Sequence, residues 1–72
     1  MKSAITEYYV SYGVYYAHLS LETKIVRVYN HSGPEFLCGA VWSNNCVTSP
    51  GPELPEAARI GLSKALVEAL YM

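Results

Sequence analysis

Five tyrosines fall within nine residues near the start of the chain: Tyr8, Tyr9, Tyr12, Tyr15 and Tyr16. Each brings a large apolar ring and one polar tip that must stay wet or find a partner. A segment this dense in Tyr, with Val10 and Val14 between, must either line a small core or build a surface that grips something. Its spacing fits two elements. At period two, Tyr8, Val10, Tyr12, Val14 and Tyr16 share one face, and Tyr9, Ser11, Gly13, Tyr15 and Ala17 the other. At helical spacing, Tyr8, Tyr12, Tyr15, Tyr16 and Leu19 form a stripe. Residue type decides between them: Tyr, Val and Thr suit a pleated surface, and Gly13 inside a helix costs about 1 kcal/mol. Residues 6–19 therefore read as one long strand, bent at Gly13. The valine-bearing face is the better core, which leaves Tyr9 and Tyr15 as the exposed pair and the candidate partner-binding surface of the sheet.

Residues 20–23 are polar enough to turn the chain, and residues 24–29 (Lys-Ile-Val-Arg-Val-Tyr) then read as a β-branched second strand. Asn30, His31, Ser32, Gly33 and Pro34 form a cluster of turn residues. Residues 35–42 make a third strand, interrupted by Gly39 and Ala40. Connections this short favour an antiparallel meander. Residues 43–54, with Pro50, Gly51 and Pro52, read as a loop, with room for a short edge strand at residues 44–47. From Pro55 onward the chain is helical: Pro suits the first helical position, and Glu53 and Glu56 suit the positive end of the helix dipole. The expected architecture is a single α+β domain over residues 1–72, a three-stranded antiparallel β-meander packed against one C-terminal α-helix.

That helix carries two apolar faces. Ala58, Leu62, Ala65, Leu66 and Ala69 make the core stripe, while Ile60, Val67 and Tyr71 lie nearly opposite, around Lys64. Either the loop of residues 43–54 or the chain's end folds over this second stripe, or the stripe is an interface, most simply a two-fold helix–helix dimer. Composition supports a partner. The 72 residues are 51% hydrophobic and 15% charged, against about 25% charged in an average domain. A domain of this size buries only about 60% of its unfolded surface, so some apolar area faces another chain, expected here as a homodimer.

The remaining function classes leave little trace. Five basic residues against six acidic give a formal net charge of −1, which lacks the electrostatic footprint of a nucleic-acid binder. No apolar run is long enough for a membrane span or an export signal, so the cytoplasm is the expected compartment, with Cys38 and Cys46 as free thiols. The cysteines stand eight apart and the histidines, His18 and His31, thirteen apart, which does not match the close pairs of a zinc site. Neither cysteine opens a predicted helix where its pKa would fall. Glu53 with Glu56 is helix-dipole complementarity, and the glycines mark turns, not a phosphate cradle. Neither metal, cofactor nor catalysis is expected. For the tyrosines three roles stand side by side: cross-strand pairs within the chain, an anchor surface for a protein, or stacking platforms for bases.

Trp42 together with residues 50–60 (Pro-Gly-Pro-Glu-Leu-Pro-Glu-Ala-Ala-Arg-Ile) resembles the end of small phage accessory proteins of the NinX-like type: an apolar strand, a Gly-Pro loop, then a Pro-initiated helix. The likeness covers the C-terminal third. It implies a compact, virus-encoded protein that acts by binding a host protein, and it implies no catalytic residues. The expected function is accordingly that of a non-catalytic, self-associating binding protein. The alternative is a small-ligand or nucleotide binder using a tyrosine-lined sheet face.

Overall fold

The structure is a computed structural model and describes residues 6–32 and 35–71. The N-terminal residues searched for an export signal, and the Gly33-Pro34 part of the second turn, lie outside the described residues. Five strands and one helix follow in order: β1 (Glu7–Tyr12), β2 (Tyr15–Ser20), β3 (Ile25–Asn30), β4 (Glu35–Ser43), β5 (Cys46–Thr48) and α1 (Glu56–Leu70). The strands pair antiparallel in sequence order. The α+β class, the meander and the C-terminal helix are as expected, but the sheet has five strands where three were anticipated.

The two additional strands come from two-residue hairpin turns. The tyrosine segment is a hairpin: Tyr12 faces Tyr15 across Gly13 and Val14, and Gly13 sits at φ +61°. A positive φ at the first central residue is what a tight hairpin needs to match strand twist, and glycine adopts it without steric cost. The other two-residue turn, between β4 and β5, is Asn44-Asn45, at φ 54° and 59°. Two successive left-handed residues make a type I′ turn, and Asn tolerates that region better than most side chains. It returns β4 into the short edge strand β5, which overlaps the expected residues 44–47 only at Cys46 and Val47 and runs on to Thr48.

The first hairpin re-sorts the tyrosines. Directly opposed residues of an antiparallel pair point to the same side, so Tyr8, Val10 and Tyr12 share a face with Leu19, Ala17 and Tyr15. That face is concave. The expected exposed pair is therefore corrected: Tyr15 is half-buried and packs against the core, while Tyr16, also half-buried, joins exposed Tyr9 on the convex face. A β-bulge between Val28 and Tyr29 acts similarly on β4. It leaves Leu37 as the extra residue, packed against the core, and turns Phe36 outward opposite Tyr29.

The core fills the concavity. Ala17, Leu19, Val26, Val28, Cys38, Ala40, Trp42 and Val47 meet Leu54, Ala58, Leu62 and Leu66 there. Leu19, Leu62 and Leu66 are fully buried, a burial that contributes about 1.5–3 kcal/mol per side chain. Pro55 is the helix N-cap, in extended conformation (φ −63°, ψ 151°), and its carbonyl accepts the Arg59 N–H at 3.0 Å. The helix makes its close backbone approaches to the two edges of the curled sheet, β1 and β5. On the β1 side this requires Gly61: a methyl there would overlap the Tyr12 ring, 2.6 Å from Cζ. On the β5 side, side chains reach the strand's backbone. The Val47 N–H donates to Ser63 Oγ at 2.8 Å, and Arg59 Nη1 donates to the Val47 carbonyl at 2.9 Å. Among the described residues, no helix is long and apolar enough to cross a membrane.

Candidate functional site

The convex side of the sheet holds a group of six rings, of which Tyr9, His31 and Phe36 are exposed and Tyr16, His18 and Tyr29 half-buried. Cross-strand register sets them in two rows. In one, Tyr9 of β1 faces His18 of β2, His18 faces Arg27 of β3, and Arg27 faces Gly39 of β4. In the next, Ser11, Tyr16, Tyr29 and Phe36 follow one another. The rings touch along these rows. Tyr9 and His18 stack at 4.6 Å between centroids, and Tyr16 and Tyr29 at 5.1 Å. His31 tilts against Tyr16 at 4.9 Å, and Phe36 meets Tyr29 edge-on at 5.7 Å. These are the offset and edge geometries the aromatic quadrupole favours, worth about 0.5–1.5 kcal/mol each beyond burial. Ile25 and Val41, paired across β3 and β4, extend the apolar area.

Much of this surface stays open to solvent: Tyr9 is 68% exposed and Phe36 54%. Phe36 lies near Gly39, where a Cβ would sit 3.9 Å from its Cζ. Glycine gives the strand no side chain to pack, and the neighbouring ring supplies the missing apolar cover. Arg27, exposed in the first row beside His18, has no ion-pair partner among the described residues. At the corner, Glu7 reaches His18 Nε2 at 3.2 Å.

The second surface is an open groove of about 370 Å³ between α1 and β5. Ile60 and Val67 form its apolar wall, with Asn45 and Cys46 across from them and Lys64 and Glu68 at its rim. Here the three helix residues singled out from the sequence separate. Ile60 is exposed, whereas Val67 is half-buried and packs against the core. Tyr71 is exposed but tied back, its hydroxyl 3.2 Å from Asn45 Oδ1. The β4–β5 turn thus flanks part of the helix's second apolar stripe and leaves Ile60 open. At the groove's edge the guanidinium of Arg59 grips Glu56 through two hydrogen bonds, 3.0 and 2.6 Å. Those bonds, chiefly, hold the Glu56 carboxyl below the usual carboxylate range and raise the Arg59 pKa above its ordinary value.

Cys38 is buried and Cys46 exposed, both free, and no histidine lines the groove that holds Cys46. No group of three His, Cys, Asp or Glu side chains able to hold a metal occurs among the described residues. Of the five residues expected at a partner surface, Tyr9 alone lies in the convex ring cluster. Reading residues 6–19 as one strand missed Tyr16, His18, Arg27, Tyr29, His31 and Phe36. The signal that would have found them is Gly13 at the centre of the Tyr-rich run, a two-residue hairpin turn with a tyrosine on each side. No family model, curated protein or solved structure matches this chain.

Proposed function

We propose that this chain is a small non-catalytic binding protein that recognises another protein through the convex face of its sheet. The observation that carries this is the ring cluster on a solvent-facing side. The open face of an antiparallel sheet normally alternates to polar residues; here Tyr9, Tyr16, Tyr29, Phe36, Ile25 and Val41 occupy it. Tyr and Arg are the residue types enriched at the energetic centres of protein interfaces, and Arg27 lies in the first row with its charge unpaired among the described residues. The fitting partner presents an apolar patch with a carboxylate for Arg27. The likeness of residues 42 and 50–60 to phage accessory proteins makes that partner a host protein, met in the host cytoplasm.

The same arrangement favours a second reading, a nucleotide held by Arg27 and a ring face. The protein reading is preferred because Tyr9 is stacked on His18 and Tyr16 on Tyr29, so each of these rings already spends one face on a neighbour. Affinity capture with Phe36→Ser and Arg27→Glu separates the cases. Both side chains are exposed and both variants are expected to fold. A captured protein should lose roughly 30-fold in affinity with either variant, as for truncation of an interface hot spot, and keep it with Ile60→Ser. Retention by both convex-face variants sinks the proposal. A nucleotide that raises the melting temperature, by about 2.7 kcal/mol of stability at a hundredfold excess over Kd, supports the second reading.

A further inference from the structure

We infer that two copies of this chain join through their β1 edges, antiparallel about a two-fold axis at Tyr9, into one continuous ten-stranded sheet. The inference rests on how differently the fold treats its two edges. β5 is three residues long, and the outward N–H and C=O of Val47 are both taken by helix side chains, Ser63 and Arg59. β1 is six residues long. In an antiparallel ladder, residues alternate between bonding inward to the neighbour and pointing their backbone groups away. The bond from the Leu21 N–H to the Thr6 carbonyl, 2.7 Å, fixes that alternation. Thr6, Tyr8, Val10 and Tyr12 bond inward to β2, and Glu7, Tyr9 and Ser11 aim their backbone groups away from the sheet. No hydrogen bond to those outward groups occurs among the described residues.

Among the described residues, the edge carries one of the usual protections, the charge of Glu7, and lacks the others. β1 holds no proline, no lysine and no bulge. The helix approaches it from the concave side, where Gly61 meets the Tyr12 ring, and Glu7, Tyr9 and Ser11 remain exposed.

Charge and register select a second copy as the occupant. With the axis at Tyr9, Tyr9 pairs with its own counterpart, and Glu7 falls opposite Ser11 of the other copy. All outward groups are then used, in about six backbone hydrogen bonds. A register centred on Glu7 would oppose two carboxylates; the Tyr9 register opposes no like charges. It also brings the two Tyr9 rings side by side on the convex face, with Cα atoms about 5.5 Å apart. The Tyr9–His18 stack of each copy then continues across the joint. The aromatic face doubles without interruption, and this pairing stands whether or not that face binds a host protein.

The test is a pair of substitutions at Ser11, measured by sedimentation equilibrium. Ser11→Lys places an ammonium opposite Glu7 twice per dimer, and Ser11→Glu places a carboxylate there twice. Two such pairs should tighten the dimer about three- to tenfold in the first variant and weaken it by a similar factor in the second. Because the two changes act in opposite directions at one exposed position, a general loss of folding cannot mimic the result. The Tyr9 and Ser11 amides should in addition exchange more slowly as protein concentration rises. A chain that stays monomeric at millimolar concentration overturns the inference. So does a dimer indifferent to both Ser11 variants, or one dissolved by Ile60→Glu instead.

Discussion

Ser63→Ala tests the closure of the β5 edge most directly. Ser63 is the buried polar residue on α1, 6% exposed, and its hydroxyl does two things at once. It accepts from the Val47 N–H at 2.8 Å and donates to the Arg59 carbonyl, one turn back, at 2.7 Å. Alanine removes both bonds and strands the amide of a residue that is itself fully buried. A buried donor left unsatisfied costs about 1–3 kcal/mol, and Ala returns roughly 0.5 kcal/mol as the better helix former. The net loss expected is about 1–2 kcal/mol, a fall of roughly 4–16 °C in melting temperature for a domain this size. Chemical denaturation at pH 7 should show the lower midpoint with an unchanged slope, since the surface exposed on unfolding hardly differs. Native-state amide exchange should show Val47 losing more protection than the centre of β3. A Ser63→Ala protein as stable as the parent, with Val47 still protected, would refute the reasoning, because the edge would then be held by packing alone.

Gly61→Ala adds a methyl in a helix, normally a gain of about 1 kcal/mol, but here it meets the Tyr12 ring and overpacking costs about 1–3 kcal/mol. The substitution should destabilise by about 1 kcal/mol in the parent and stabilise in a Tyr12→Ser background; a double-mutant cycle by urea denaturation measures the coupling, and additivity would refute the contact. The Glu56–Arg59 pair predicts a pH dependence. Hydrogen bonds from Arg59 lower the folded-state pKa of Glu56, so its stabilisation is present above the unfolded carboxylate pKa and is lost as pH falls through the lowered folded value. The stability difference between the parent and Glu56→Gln should therefore hold at pH 7 and shrink on acidification, followed by urea midpoints across that range.

The parts of the fold that were legible are those whose cause is local. Pro55, Glu56 and the Ala/Leu stripe of 58, 62, 65, 66 and 69 announce the helix by chemistry that acts within a few residues. Residues 25–28 announce β3 through β-branching between turn residues. The first hairpin was not legible by the same means. Val14 is a strand former, and Tyr15 and Tyr16 continue the composition of Tyr8 and Tyr9, so only the left-handed φ of Gly13 separates two strands from one. Nor did the sequence reveal that the helix bridges β1 and β5. The bond that ties it to β5 joins residues sixteen apart, and Ser63 looks locally like any polar helix residue. Ile60, Val67 and Tyr71 were legible as a stripe, but their separate fates depend on where the Asn44-Asn45 turn places Asn45 and Cys46.

Period-two reasoning is sound within each arm of a hairpin and fails across a two-residue turn, because Tyr12 then faces Tyr15 and odd and even positions exchange faces. β2 itself selects this register. Its one face offers Ala17 and Leu19, its other Tyr16 and His18, and a shift by one residue would send the imidazole inward and the leucine to solvent. Ala17 and Leu19 are both fully buried, so the core decides the matter. The arrangement of the convex face is the consequence: once Leu19 is inside, Tyr16 must be outside, where Tyr29 lies directly across from it on β3. The ring cluster on that face is thus placed by the burial of aliphatic residues on the opposite side of the same strand. Substitution at exposed Arg27, which makes none of the ring contacts, can therefore probe binding without disturbing what holds the rings in position.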